Sequence, residues 1–227
     1  MIPIEPIDLT TSAPFDPISY YLHIIIGIVG LVAGVIALLT KKGSQPHILA
    51  GRTFAICVVI VSITSAVLLS VRMIPPLMMA AMTTVYAVGT AILALRAATP
   101  SVKKMEYGLS IAEGIVIAVF VYMSVPHVMQ GNIPPIGPLV ILAIPTILLV
   151  GDFNFYRNPD QRARLRVLRH MSRMIWALIV AIRAPIVEVN VVLQIPTPLI
   201  LFAPLIVAPV MIFLFRRQIG SGSGARS

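Results

Sequence analysis

The chain has 227 residues, of which 58% are hydrophobic and 11% charged, and its formal net charge is +9. Soluble domains contain roughly 45–50% apolar and about 25% charged residues, so this composition excludes a soluble globular domain. The positive charge does not indicate a nucleic-acid partner, because the basic residues lie at the ends of apolar segments, as in membrane proteins.

Seven apolar segments follow one another, and all but the fifth are near the length of about 20 residues that a helix needs to cross a bilayer; the fifth is short and contains Pro145. The segments are Ile18–Leu39, Phe54–Val71, Leu77–Leu95, Tyr107–Val125, Ile136–Val150, Met174–Leu193 and Leu199–Phe215. They predict an all-α fold, a polytopic membrane helical bundle of about seven transmembrane helices. Residues 1–17 are then an extracytoplasmic leader, residues 18–217 the bundle, and residues 218–227 a flexible tail or linker.

The basic residues lie almost entirely on alternate connections between these segments. They follow the first, third, fifth and last segments, at Lys41, Lys42, Arg52, Arg96, Lys103, Lys104, Arg157, Arg162, Arg164, Arg166, Arg169, Arg216 and Arg217. On the other connections Arg72 is the exception. Because cytoplasmic loops accumulate Lys and Arg, the pattern predicts an N-terminus outside and a C-terminus in the cytoplasm.

Small residues and prolines indicate how the helices pack. Gly30 and Gly34 form a Gly-x-x-x-Gly pattern in the first segment, which lets a second helix approach closely. Prolines interrupt the later segments, at Pro145, Pro185, Pro204 and Pro209. Each leaves a backbone carbonyl without its helical donor, as in kinked packing helices and beside the mid-membrane sites of transporters.

Charged side chains at membrane depth are costly, so each is a candidate functional residue. Glu113 and Arg183 lie at nearly the same depth in the fourth and sixth segments, and we expect them to form an ion pair. That pair is either a static contact that fixes helix register or a proton site. Arg72 and Glu188 complete the expected intramembrane polar cluster, and share the outer layer with His23.

The four histidines form two candidate pairs. A b-type haem needs two axial imidazoles, from different helices at matching depth. The predicted orientation places His23 and His127 toward the outer face and His47 and His170 toward the cytoplasmic face. Each pair is a candidate to bind haem b or a quinone, although an aromatic content of 7% is low for the walls of a haem pocket.

Other polar residues near the cytoplasmic face have simpler interpretations. We expect Arg52 and Arg173 to be interfacial, with their charged groups extended toward lipid headgroups. Asp152 and Asp160 lie on the same side, where a helix boundary explains them.

Two motifs resemble a group of uncharacterised bacterial multi-pass membrane proteins, known only as a domain of unknown function. The first runs from His23 through Gly27, Gly34 and Lys41-Lys42-Gly43 to His47-x-x-x-Gly51-Arg52; the second is Leu168-Arg169-His170-Met171-Ser172-Arg173-Met174. The resemblance covers about residues 20–191. It implies a bacterial inner-membrane protein in which His47, Arg52, His170 and Arg173 belong to the pattern, and it implies no activity.

Three functions remain open from the sequence. The first is a membrane redox component that binds haem b or quinone through paired histidines. The second is an accessory subunit in the lipid bilayer that docks on other membrane subunits or forms a homo-oligomer. The third is a proton-coupled or small-solute permease that uses Glu113 and Arg183. No nucleophile, metal cluster or pair of carboxylates indicates a membrane-embedded enzyme.

Overall fold

The structure of the protein, a computed structural model, describes residues 17–71 and 74–222. Helices make up 88% of it, which confirms the predicted all-α class. They are α1 (Pro17–Leu39), α2 (Gln45–Val71), α3 (Pro75–Ala94), α4 (Pro100–Met129), α5 (Ile136–Arg157), α6 (Arg162–Glu188), the short α7 (Asn190–Leu193) and α8 (Thr197–Gly222), with a 3₁₀ turn at Pro159–Gln161 before α6. Within these described residues, seven helices are long and apolar enough to cross a membrane, as predicted for a multi-pass protein.

Several helices extend well beyond their apolar segments. α2 begins at Gln45 rather than Phe54, and α6 begins at Arg162 rather than Met174. The reason is that an α-helix satisfies its own backbone hydrogen bonds in water as well as in lipid, so it continues through the polar interface. α8 runs to Gly222, past Gln218, where the tail was expected to begin. The predicted leader, apart from its last residue, lies outside the described residues.

Local chemistry sets the ends of these helices. Thr99 precedes α4, and its side-chain oxygen accepts a hydrogen bond from the Val102 amide at 3.3 Å while Pro100 occupies the first turn. Gly43 and Gly131, in the turns after α1 and α4, have φ values of +80° and +73°, which favour glycine. These short turns make consecutive helices antiparallel neighbours.

The packing centres on α3 and α6. α3 contacts α2, α4 and α6, and α6 also contacts α8 and α1. One apolar cluster joins α1, α2, α3 and α6 around Phe54 and Val88, and a second joins α3, α5, α6 and α8 around Trp176 and Leu148. Residues on α3 and α6 therefore face the middle of the bundle.

The Gly-x-x-x-Gly pattern of α1 lies at a close helix contact. A Cβ atom on Gly30 would lie 2.9 Å from the Cβ of Cys57 on α2, and one on Gly34 would lie 2.9 Å from the Phe54 ring. Real Cβ atoms do not approach other atoms that closely, so both positions depend on the missing side chain.

The outer faces of the helices carry large apolar side chains. Residues such as Ile25, Ile28, Ile115, Tyr122, Val192 and Phe213 are exposed on the described surface. In a bilayer such faces contact lipid acyl chains, which are as apolar as the side chains themselves. The exposed apolar surface thus fits the predicted membrane environment.

One end of the bundle holds the connections α1–α2, α3–α4 and α5–α6 and the last turns of α8, and we call it the basic end. Lys42, between α1 and α2, donates hydrogen bonds to the carbonyls of Ala37 and Leu38 at 3.0 and 2.5 Å. Its Nζ lies 5.0 Å from the centroid of the Phe215 ring of α8. The last turns of α8 therefore lie beside the α1–α2 connection.

Candidate functional site

Four helices turn polar side chains toward one another inside the bundle. On each helix these residues are three, four or seven positions apart, so they share one face. They are Thr83, Tyr86 and Thr90 on α3, Glu106, Ser110 and Glu113 on α4, Asp152 and Tyr156 on α5, and Arg162, Arg169 and Arg173 on α6. We call this set the polar column.

Asp152 lies at the centre of the column and is fully buried. Its Oδ1 accepts hydrogen bonds from Arg169 Nε at 3.0 Å, from Arg169 Nη2 at 2.6 Å and from Arg173 Nη2. Its Oδ2 accepts from the Tyr86 hydroxyl at 2.5 Å and from the Ser110 hydroxyl at 2.7 Å. One carboxylate thus ties α3, α4, α5 and α6 together.

Glu106 extends the column toward the basic end. Arg169 Nη1 donates to its Oε1 at 2.6 Å, and Arg162 donates to both carboxylate oxygens, at 2.9 and 3.1 Å. Both guanidinium groups lie over the Phe155 ring, that of Arg162 at 4.8 Å and that of Arg169 at 4.2 Å from its centroid. Glu106 is fully buried, whereas the Arg162 side chain is 15% exposed, so the column reaches the surface at Arg162.

Arg173 is buried, which overturns its predicted interfacial position. It is 2% exposed, and besides Asp152 it donates to the Leu148 carbonyl at 2.9 Å and to the Thr90 hydroxyl at 3.4 Å. Its Nε has no hydrogen-bond partner among the described residues. The reason for the burial is the carboxylate of Asp152, which replaces the solvent that Arg173 would otherwise need. Arg52 is exposed.

Glu113 stands apart from the ion pairs of the column. It is 1% exposed, and its Oε1 accepts a hydrogen bond from the Thr83 hydroxyl at 2.6 Å. The expected ion pair with Arg183 is wrong for the described structure, where Glu113 forms no salt bridge. Arg173 and Asp152 are still near enough to act on its charge.

Arg183 instead lines a cavity of about 80 Å³ between α3, α5, α6 and α8. Thr83 lines the same cavity, and the other lining side chains are apolar, among them Met79, Val140 and Val187. The Nε of Arg183 is buried and has no hydrogen-bond partner in the described part of the chain. Thr83 therefore lies between the cavity and Glu113.

The charges of the column do not cancel. Two carboxylates, those of Glu106 and Asp152, pair with three guanidinium groups, those of Arg162, Arg169 and Arg173. One positive charge remains, and an ionised Glu113 would balance it. The charge state of Glu113 therefore decides whether the column is neutral or positive.

His47 and His170 lie near the basic end, on α2 and α6. The Nδ1 of His47 is 2.9 Å from the Ala37 carbonyl, and the Nδ1 of His170 is 3.0 Å from the Ala91 carbonyl. A carbonyl oxygen only accepts, so each Nδ1 carries a hydrogen and each neutral ring keeps a lone pair on Nε2. Within the described residues, no group of three or more His, Cys, Asp or Glu side chains is arranged for a metal ion.

His23 and His127, the predicted outer pair, contact different parts of the bundle. His23 Nδ1 is 2.8 Å from the Thr64 hydroxyl, which places His23 between α1 and α2. His127 is exposed near the end of α4, a helix that packs on α3 and α5. Arg72 and the side chain of Glu188 lie outside the described residues.

Sequence reasoning missed Glu106 and assigned Asp152 to a helix boundary. Both are fully buried, and Asp152 lies inside α5. A signal for them exists in the sequence: Glu106, Ser110 and Glu113 share one face of α4, as Asp152 and Tyr156 share one face of α5. Polar stripes at helical spacing in four consecutive helices predict a buried polar network.

Comparison with known proteins gives no match to a family, to a curated protein or to a solved structure.

Proposed function

We propose that the protein is a proton-coupled permease for small solutes, in which Glu113 binds the transported proton. The observation that carries the proposal is a buried carboxyl group held by the Thr83 hydroxyl rather than by a cation. Ionisable groups inside membrane segments are costly and mark proton and ion pathways. A carboxyl group without a fixed cation partner is the one free to change its protonation.

The position of Glu113 also supports this role. On one side Thr83 connects it to the cavity at Arg183, and on the other the polar column leads to Arg162 at the basic end. Glu113 and Glu106 are about 10 Å apart along α4, at about 1.5 Å per residue. Hydroxyl and carboxylate groups of Tyr86, Ser110 and Asp152 lie along this interval, and such groups can carry a proton between them.

Two prolines beside the cavity support the proposal that α5 and α6 move during transport. Pro145 on α5 and Ala184 on α6 line it, and Pro185 follows directly. Pro145 has no amide hydrogen, so the carbonyl of Ile141, another lining residue, lacks its usual helical donor. Proline-interrupted helices that border a cavity at membrane depth are typical of transporter sites.

We further propose that the protein lies in the bacterial inner membrane with its basic end in the cytoplasm. The Lys and Arg residues on alternate connections support the orientation. The bacterial source is proposed only from the expected resemblance of the two His-Arg motifs.

The test is proton movement in liposomes that contain the purified protein and a trapped pH dye. Solutes of different charge and size are added one at a time outside, and liposomes without protein correct for passive diffusion. At least one solute is expected to move protons. Glu113→Gln, which cannot ionise, is expected to abolish the coupled proton movement.

Ser124→Ala is the matched control, because Ser124 is another buried polar residue of α4. It is expected to retain the proton movement of the wild type. The proposal fails if no solute moves protons through the folded protein. It also fails if the Glu113→Gln variant moves protons with solute as efficiently as the Ser124→Ala variant.

A second candidate, a redox role at His47 and His170, is favoured by one observation. Both rings donate Nδ1–H to a backbone carbonyl, which orients Nε2 as in many metal-bound histidines. Haem b bound there would carry electrons. A reduced-minus-oxidised absorption spectrum of protein from native membranes should then show haem bands that His170→Ala removes, and a flat spectrum would eliminate the haem.

A further inference from the structure

We infer that the cavity at Arg183 binds a short-chain monocarboxylate, and that this anion is the solute carried with the proton. The inference rests on the proposed function for the transport step. The binding site itself rests on Arg183, Thr83 and the walls of the cavity.

Arg183 sets the charge of the ligand. It is always positively charged at ordinary pH, and its buried Nε has no partner in the described part of the chain. A guanidinium group in a low-dielectric site needs a counter-charge, and its planar fork matches a carboxylate through two parallel hydrogen bonds. The single guanidinium group at the cavity favours a ligand of a single negative charge.

The walls of the cavity determine the polarity and size of the uncharged part of the ligand. Besides Arg183 and Thr83, the lining side chains are apolar, which suits an aliphatic tail better than a second polar group. The cavity measures about 80 Å³. Since one water takes ~30 Å³ of liquid volume, the space holds about three non-hydrogen atoms, those of a carboxylate group, and only a short aliphatic tail can follow along the apolar lining.

The same geometry couples the anion to the proton. Thr83 separates the cavity from Glu113, so an ionised Glu113 would repel an anion bound at Arg183. The charged groups that act on Glu113 from the other packed helices are Asp152 on α5 and Arg173 on α6, which pair with each other inside the column. Uptake of a proton by Glu113 removes the repulsion, so anion and proton bind together.

The experiment is a titration of the purified protein in detergent with sodium propionate. Trp176 is the only tryptophan of the chain and packs in the same cluster as Ile144, a lining residue, so its fluorescence is the readout. Saturable binding is expected for the wild type. Arg183→Gln is expected to weaken it about tenfold or more, and Arg183→Lys, which keeps the charge without the fork, to weaken it less.

Arg52→Gln is the matched control, because Arg52 is an exposed arginine near the basic end, and it should bind propionate as the wild type does. Sodium chloride, disodium succinate and sodium decanoate distinguish a halide, a dianion and a lipid-like acid. The inference is overturned if propionate does not saturate, if Arg183→Gln binds it equally, or if any of these three salts binds as tightly.

The binding and liposome experiments separate the two proposals. Propionate binding that depends on Arg183, without proton movement by any solute, would support the anion site and contradict the permease proposal. Proton movement with a neutral solute, without propionate binding, would support the permease proposal and contradict the proposal of a monocarboxylate substrate.

Discussion

The hydrogen bonds of Asp152 show how a charge is tolerated inside this bundle. Two arginines and three hydroxyl groups surround the carboxylate, and each arginine in turn depends on it. In such a network the loss of one member leaves the others charged and without solvent. The contribution of Asp152 is therefore better judged from its removal than from the number of its contacts.

We predict that Asp152→Asn destabilises the protein by about 3–5 kcal/mol, the usual effect of removing one partner of a buried ion pair. The amide removes the negative charge that both Arg169 and Arg173 face. Unfolding in mixed detergent, followed by circular dichroism, measures the difference. Asp160→Asn, at an exposed site in the 3₁₀ turn, should stay within about 0.5 kcal/mol of the wild type. Equal stability of the two variants would contradict the central role of Asp152.

Individual residues also mark the limit of prediction from the sequence. Glu113 and Arg183 were expected to pair because their depths agree, but depth does not fix the direction in which a helix turns a side chain. In the structure Glu113 faces α3, where Thr83 bonds to it, and Arg183 lines the cavity. Position along a helix follows from counting residues, whereas rotation about the helix axis depends on packing against its neighbours.

At the scale of helices, the apolar segments predict the membrane-spanning parts and miss the polar turns that continue them. The first twelve residues of α6, Arg162–Arg173, lie before the predicted segment, yet they supply all three arginines of the column. A hydropathy window averages over all faces of a helix, so a charged stripe on one buried face shortens the predicted segment. The helical spacing of the polar residues within the same window would have shown that the helix continues through this stripe.

No local sequence pattern predicts the contact between α3 and α6. These helices are separated by two others in the chain, and they meet at the centre of the bundle. Thr83, Tyr86 and Thr90 could be recognised as one face of α3 from the sequence, and Arg169 and Arg173 as one face of α6. That the two faces meet across the same carboxylate is a consequence of tertiary packing.

At the scale of the whole molecule, charge is distributed unevenly between the two ends of the bundle. The connections at the basic end and the helix turns that adjoin them carry most of the Lys and Arg residues, and the described connection between α4 and α5, residues 130–135, has none. Positive charge near the ends of membrane segments resists translocation during insertion. The asymmetry predicts one fixed orientation, with the α5–α6 connection in the cytoplasm and the α4–α5 connection outside.

Single-cysteine labelling tests this orientation. In a Cys57→Ala background, Asn132→Cys lies on the α4–α5 connection and Asp160→Cys on the α5–α6 connection, and both positions are exposed. A membrane-impermeant maleimide is expected to label Asn132→Cys in intact spheroplasts, and Asp160→Cys only after permeabilisation. The converse pattern would reverse the orientation, and labelling of both in intact spheroplasts would mean that insertion is not fixed by the basic end. The result also assigns Arg162, where the polar column reaches the surface, to one side of the membrane, and with it the side on which the proposed proton path would open.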